Sequence, residues 1–464
     1  MIQRLDYVGP WADRSGLAAR LAAAGLDEAA AWTRAGLFGR VVGALEARDP
    51  AARGSRPTAF FVPGRIEVLG KHTDYAGGRS MVVATERGFS LAAAPRSDRQ
   101  VVVVDTARGE SIEFALQPDL IPTVGRWSNY PMTVARRIAR NFPAATRGAT
   151  IALASDLPPA AGMSSSSALM VAVFLALAEV NTLFEAPALV ANIRSLTDLA
   201  GYLGTVENGQ TFGTLIGDRG VGTFGGSEDH TAMLCSRPGH LSQFAYCPVR
   251  FERAIPLPSG HTFAVGVSGV AAEKTGAAME KYNAASRLAM QLVELWQRET
   301  RRAGPHLAAI LASSADAGSH LAQVVQRAGL ATDDSWLLLR RLEHFVAENE
   351  EILPAAGDCL SSGDLSGFGR WVARSQQAAE KLLGNQIPET SHLAYSAHGF
   401  GAVAASAFGA GFGGSVWAMV EKDRVGTFLI AWEQAYRAKF PERASAASFF
   451  ETAAGPAAHQ IARA

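Results

Sequence analysis

The sequence predicts an α+β fold of two domains that share one cleft, and three observations predict it. The chain has 464 residues, about two to three times a typical domain. Hydrophobic residues make up 48% of it and charged residues 19%, which is apolar material for a large core and too little charge for a disordered chain. Strand-like runs crowd the first half and return near the end, amphipathic helical runs fill the stretch between, and glycine and serine clusters sit where one pattern gives way to the other.

Taken in order, 11–23 and 26–46 read as two helices rich in Ala and Arg, ended by Pro50, Gly54 and Pro57. Strand patterns follow at 58–62, 82–85 and 89–93, then a run of valines at 101–104 with a hairpin neighbour at 111–114. Tyr130, Val134 and Ile138 recur at helical spacing within 127–141. A strand at 149–155 leads through Pro158 and Pro159 into small residues, and an apolar helix runs over 166–180. Helical patterning continues to 208, and glycine is dense over 209–226. Strands are expected at 232–234, 241–246 and 263–267, a long amphipathic helix at 273–296, and mostly helix over 297–384, including 335–349. The end reads as strand 401–405, glycine loop 409–414, strand 416–420 and helix 425–440. These patterns divide the chain into a helical extension at 1–57, a first domain at 58–250 and a second at 251–464.

Lys plus Arg and Asp plus Glu balance at 43 each, so no basic face calls for a nucleic-acid partner. A small anionic ligand needs only a few local donors and stays open. Cys235, Cys247 and Cys359 lack ligand spacing and read as free thiols of a reducing compartment. The N-terminal stretch has no apolar export core, and no apolar run reaches membrane-spanning length. A cytoplasmic protein without a membrane partner, a monomer or weak homodimer, is expected.

The chemistry concentrates in four runs. Residues 158–168, PPAAGMSSSSA, lead into the apolar helix. Small residues let backbone N–H groups approach an anion, and a helix start adds unpaired N–H groups and a favourable dipole. A serine-rich helix cap is the plainer reading, but one serine suffices to cap. The run is not the G-x-x-x-x-G-K-[ST] loop, and no strand-led G-x-G-x-x-G occurs. Residues 64–78, GRIEVLGKHTDYAGG, pack polar groups between glycines, as polyol binding requires or as a solvated turn allows. Glu228 and Asp229 follow Gly225, Gly226 and Ser227. An acidic side chain that orients or deprotonates a hydroxyl is what phosphoryl transfer needs, and Glu207 is a hard oxygen ligand for a divalent ion. The loop 409–415, GAGFGGS, permits positive φ and close backbone approach, or is a plain turn.

Together these runs resemble the GHMP kinase superfamily, and within it the galactokinases. Residues 64–78 are similar to the signature G-R-[VI]-N-L-I-G-E-H-T-D-Y-x-x-G, 158–168 to the loop P-x-x-x-G-L-S-S-S, and 409–414 to G-A-G-F-G-G. Trp127 with Tyr130, Tyr282 with Asn283, Arg341 to Glu348 and Pro388 with Glu389 resemble further family segments, so the likeness spans about 58–450. The resemblance implies an N-terminal domain of the ribosomal-S5 domain 2 type and a ferredoxin-like C-terminal domain. ATP and a sugar would meet between them, with transfer of the γ-phosphoryl group to O1 of a pyranose. It implies Asp229 and Arg65 as the catalytic pair. It further implies Glu67, Lys71, His72, Asp74 and Gly226 at the sugar, and Pro159, Gly162, Met163, Ser164, Ser165, Ser166 and Ser167 at the nucleotide. Mg2+ would sit at Ser166 and Glu207.

Four departures bear on the substrate. Lys71 stands where galactokinases have a glutamate that binds the sugar near C6, and Glu67 where they have asparagine. The stretch between Glu207 and Asp229 is longer than the family's, so 209–222 reads as an inserted loop. Ser406 and Phe408 stand where an arginine and a threonine are usual. A cation at 71 matches a uronate carboxylate by charge, whereas an internal Lys71–Glu67 pair leaves a neutral sugar in place. Galactose, an acidic sugar or another sugar such as arabinose therefore stay open. A catalytically silent sugar sensor and a kinase for a non-sugar alcohol are the competing classes.

Overall fold

Two β-sheets organise the chain. The computed structural model describes residues 2–7, 9–53, 57–272 and 276–463; Gly54 and the expected helix start at 273 lie outside them. The first part runs β1 (Gln3–Tyr7), α1 (Arg14–Ala23), α2 (Glu28–Arg48), β2 (Thr58–Leu69), β3 (Arg79–Pro95), β4 (Gln100–Asp105), β5 (Glu110–Ala115), α3 (Asn129–Asn141), β6 (Ala149–Ser155) and α4 (Ser165–Val180). It continues through α5 (Pro187–Asn192), α6 (Leu196–Asn208), α7 (Glu228–Cys235), β7 (His240–Ala245) and β8 (Arg250–Pro256). The second part runs β9 (His261–Val267), α8 (Gly276–Thr300), α9 (Leu307–Leu311), α10 (Ala317–Arg327), α11 (Thr332–Val346), α12 (Leu353–Ser362), α13 (Leu365–Ala378) and α14 (Pro388–Gly399). It ends with β10 (Ala404–Phe408), β11 (Ser415–Glu421), α15 (Val425–Lys439), β12 (Ser448–Thr452) and β13 (His459–Arg463). Among the described residues no helix is long and apolar enough to cross a membrane.

The first sheet has the order β1-β13-β2-β3-β6-β4-β5, with β7 beside β3 and β8 beside β7. Among the described residues only β1–β13 and β4–β6 pair in parallel. Its last strand to form in sequence, β13, comes from the end of the chain, so β8 and β13 of the 251–464 stretch both belong to this sheet. The second sheet is antiparallel, in the order β10-β11-β9-β12.

Helix α4 packs against β2 and β3 and is buried on every side from Ser167 to Ala178, as a helix without a polar face must be. The N-terminal helices cover the opposite face of the sheet. Asp13 and Asp27 cap them, accepting from the N–H groups of Gly16 (3.0 Å) and Ala30 (2.8 Å). They close on small sheet residues, Ala92, Ala94, Ala152 and Ala154. The sequence patterns miss β1. The run at 232–234, expected as strand, lies inside α7; a short apolar run has no period that separates strand from buried helix. The strand expected at 401–405 is β10, three residues later at its start.

In the second part, Leu292, Trp296, Leu342 and Phe345 of α8 and α11 form one core with Ala76, and Tyr75 packs against it. The loop after β2 is therefore seated on helices more than 200 residues away, and that contact positions one wall of the site.

Candidate active site

Strand β2 carries Arg65 and Glu67, and its register against β3 shifts between Pro63 and Arg65 and again between Glu67 and Leu69. Such irregularities re-aim side chains, and both residues line a narrow pocket with His72, Asp74, Tyr75, Glu207, Glu228, Asp229 and Tyr282. Helix α7 starts at Glu228, so its first turn brings two carboxylates to Arg65. Arg65 donates from Nε to Asp229 Oδ1 at 2.8 Å, its Nη2 lies 2.7 Å from the same oxygen, and its Nη1 donates to the Gly162 carbonyl at 2.5 Å. Ser167 Oγ donates to Glu207 Oε2 (2.7 Å) and lies 3.3 Å from Asp229 Oδ2. His230 Nε2 is 3.3 Å from Glu207 Oε2.

Burial shapes the charges. It alone would lower the basicity of the Arg65 guanidinium, but the carboxylates of Asp229, Glu228 and Glu67 hold it well above its ordinary value. Burial pushes Glu67 up to about 7 although Lys71 and Arg65 pull the other way. Burial, then the neighbouring Glu67 and Asp74 carboxylates, raises Glu228 well above the usual range.

The loop after β2 is held from the second part of the chain. Glu348 Oε1 accepts from the N–H groups of Gly70 (2.8 Å) and Lys71 (3.4 Å), Arg341 Nη2 donates to the His72 carbonyl (2.5 Å), and Asn349 Oδ1 accepts from Arg79 N (2.7 Å). Glu348 and Asn349 lie in a π turn, Ala347–Ile352, that continues α11. His72 adopts positive φ. Its Nε2 meets the Ala410 carbonyl at 3.1 Å and must be the protonated nitrogen; Nδ1 then accepts from Tyr75 Oη at 3.0 Å. Asp74 Oδ2 accepts from Glu228 N at 3.1 Å. A Cβ on Gly226 would collide with the Asp74 carboxylate, which explains glycine there. The loop 209–222, expected near the site, docks on α3 through Arg136 and Asp218 and delivers Gly225 and Gly226 to the pocket.

Lys71 departs from expectation. It does not line the pocket. Its buried Nζ donates to Ser375 (3.1 Å) and Ser406 (2.9 Å), so two departures from the family pattern, Lys71 and Ser406, touch each other on the far side of the pocket wall. The ammonium faces α13 and β10 rather than a ligand.

A larger cleft of about 450 Å³ adjoins the pocket and shares Arg65 and Ala410 with it. Pro159, Gly162, Ser164, Ser165 and Ser166 line it from the loop before α4. Ser164 is the N-cap residue in the left-handed region (φ 56°), but among the described residues no side chain caps α4 and the buried Ser164 Oγ has no partner. The plain capping reading thus fails, and the helix's first N–H groups stay open to a ligand. Two expected residues do not line this cleft. Met163 is buried in the core, its carbonyl accepting from Arg65 N, and Ser167 turns to Glu207 and Asp229. Gly162 (φ 75°) and Gly409 (φ 80°) abut, which joins the two glycine loops. Asp105, Arg108, Trp127 and Tyr130 also line the cleft. Sequence reasoning assigned them no role, although an aromatic pair at the start of α3 was a usable signal. It likewise missed the roles of Tyr75, Tyr282 and Glu228 in the pocket.

With this geometry in view, comparison with known proteins identifies the class. The model of the GHMP kinases N terminal domain matches residues 129–213, and that of the galactokinase galactose-binding signature matches 51–95. A galactokinase of Chloroflexus aggregans is 31% identical over 392 residues, covering 82% of this chain and 89% of that one. A galactokinase of Roseiflexus sp. is 30% identical over 379 residues, covering 81% and 86%. The crystal structure of Lactococcus lactis galactokinase complexed with galactose superposes with a TM-score of 0.73 at 22% identity, over 90% of this chain and 99% of that one. The chain belongs to the GHMP kinase superfamily, in its two-domain α+β fold. The relatives named above are galactokinases, and the chain is an ATP-dependent small-molecule kinase of the GHMP family.

Proposed function

We propose that this protein transfers the γ-phosphoryl group of ATP to O1 of a neutral hexose of the galactose type. The observation that carries the reading is the Arg65–Asp229 pair in the wall between two cavities, one lined by polar side chains suited to a polyol and the other by an open helix start suited to phosphates. Asp229 takes the proton of the acceptor hydroxyl as that oxygen bonds to the γ-phosphorus and the bond from phosphorus to the ADP oxygen breaks. Arg65 orients Asp229 through Oδ1 and presents positive charge beside the transferring group. Gly162, Ser164, Ser165 and Ser166 hold the nucleotide phosphates; the unpartnered Ser164 hydroxyl and uncapped helix start fit an anion.

Ser166 in the cleft and Glu207 in the pocket are hard oxygen donors of the type Mg2+ prefers, and they would hold it. Among the described residues no group of three or more His, Cys, Asp or Glu side chains is arranged to hold a metal. When bound, Mg2+ neutralises charge on the transferred group.

A neutral acceptor is favoured over a uronate because Lys71 points away from a pocket rich in carboxyl groups. The test is an ADP-release screen with Mg·ATP against galactose, galacturonate, glucuronate, arabinose, fucose and N-acetylated hexosamines, with NMR of the product. Galactose or a close neutral relative should yield the sugar 1-phosphate. ADP release with none of them, or a phosphate at another hydroxyl, refutes the reading.

A further inference from the structure

A third cavity, of about 390 Å³, shares only His72 with the narrow pocket and no residue with the phosphate cleft. Phosphoryl transfer gives it no task, yet its size is that of a small-molecule site. It opens between α8, α11, the π turn Ala379–Leu383 that follows α13, and the 409–415 loop. Four cations line it, Lys281 and Arg287 from α8 and Arg340 and Arg341 from α11, and among the described residues no carboxylate does. In a chain whose formal charges balance, that wall carries a positive field which its own side chains do not neutralise. Two of the four are committed elsewhere. Arg287 pairs with Glu280 at 3.0 Å, and Arg341 donates to the carbonyls of His72 and Ala285. The Lys281 ammonium lies 5.4 Å from the centre of the Phe412 ring, and the Arg340 guanidinium lies 4.2 Å from that of Trp336. Arg340 also donates to the Lys381 carbonyl, but neither of these two cations has a carboxylate partner among the described residues. Leu288, Leu337, Leu382, Leu383 and Phe412 make up most of the remaining wall.

We propose that this cavity is a second ligand site, for a small organic anion. A phosphate or carboxylate head pairs with Lys281 and Arg340, and an apolar body lies against Phe412 and the leucines of α11 and the π turn. Cations without counter-ions beside leucines and an aromatic ring match that division of a ligand into charged head and apolar body. The site is separate from the reaction centre, because neither Lys281 nor Arg340 lines the narrow pocket or the phosphate cleft. It adjoins that centre through His72 alone, whose ring meets the Ala410 carbonyl and whose own carbonyl is held by Arg341. The assignment goes beyond the transfer reaction and is independent of which sugar accepts the phosphoryl group.

Calorimetry on the full chain tests it, with Mg·ADP and galactose present in excess to occupy the other two cavities. The probes are phenyl phosphate, phenylacetate, benzyl alcohol and inorganic phosphate. One equivalent of phenyl phosphate or of phenylacetate should bind, and the tighter of the two assigns the head group. Benzyl alcohol lacks the anion and inorganic phosphate lacks the apolar body, so each should bind at least about 10-fold more weakly. Replacing both cations, Lys281→Gln with Arg340→Gln, should weaken the aromatic anion about 10- to 100-fold and leave turnover and melting temperature near those of wild type. Lys281→Gln alone, at an exposed position, should weaken it about threefold and keeps the test decisive if the double variant fails to fold. No binding of either aromatic anion overturns the proposal, as does binding that these variants leave unchanged. Binding of benzyl alcohol or inorganic phosphate as tight as that of the aromatic anions overturns it as well. So does capture of a glutamate-rich peptide without binding of the small anions, which would make this face a protein-docking surface.

Discussion

Lys71 shows most clearly what a residue's position in a motif does and does not reveal. Its place in the 64–78 run points to the sugar, yet its ammonium lies between Ser375 and Ser406, 304 and 335 positions further along the chain. No local pattern announces partners at that distance. Lys71→Met leaves the buried carboxyls of Glu67 and Glu348 without their nearest ammonium, and stability should fall by on the order of 3 kcal/mol, read from denaturant unfolding. The ratio of kcat/KM for neutral and acidic sugars should stay within about twofold of wild type, because the side chain is outside the pocket. A large change in that ratio would restore Lys71 as the reader of the sugar. Burial of Glu67 and Glu228 gives stability a pH dependence of defined sign. Their folded values lie above the unfolded ones, so the folded state retains protons that the unfolded chain releases. The contribution from Glu67 is fully present below about pH 4.5 and is lost as pH rises through about 7. Melting curves between pH 5 and pH 8 should show this decline, and Glu67→Gln should flatten it. Asp229, Arg65, His72 and Asp74 meet in the pocket as the sequence resemblance led one to expect, because β2 and the loop after it are contiguous and α7 starts at a glycine pair.

At the scale of elements, the start of α4 was legible and its detail was not. A proline pair, small residues and serines before an apolar run identify a loop and a helix, but they do not say which serine turns where. Ser164 takes positive φ, Ser166 lines the cleft and Ser167 faces Glu207, an order set by the helical twist after Gly162. Gly162→Ala places a Cβ at positive φ and 3.2 Å from the Phe408 carbonyl, a strain of about 1–2 kcal/mol. The ATP KM should rise about 10-fold with a smaller change in the sugar KM; equal effects on both would mean that the loop does not serve the nucleotide. The clamp formed by α11 and its π turn was legible only as a helical run, Arg341 to Glu348, that resembles a family segment. Its function appears once Arg341 is found on the His72 carbonyl and Glu348 on the N–H of Gly70. Arg341→Met should raise the galactose KM about 10-fold and spare ATP binding, measured by steady-state kinetics and nucleotide titration. Residues 232–234 of α7 were misread as strand because a helix of eight residues carries too little periodicity.

The whole molecule explains why neither half carries the site alone. The first sheet supplies β2, the α4 start and α7. The helices around Trp296 and Phe345 seat the loop after β2, and the β10–β11 hairpin lays Gly409 against Gly162. Removing the N-terminal helices would uncover Phe61, Ala92 and Ile461 on the back of the sheet, so truncation before β2 should yield insoluble or unfolded protein rather than a smaller kinase, as a solubility and circular-dichroism test would show. The central claim is that Asp229, held by Arg65 between a sugar pocket and a phosphate cleft, drives phosphoryl transfer. Single-turnover transfer from ATP to galactose, followed by phosphorus NMR in wild type and Asp229→Asn with nucleotide affinity measured alongside, tests it most directly. The account predicts sugar 1-phosphate from wild type, a rate at least about 1,000-fold lower from the variant, and nucleotide affinity unchanged in both. Transfer by Asp229→Asn at a rate near that of wild type would contradict it.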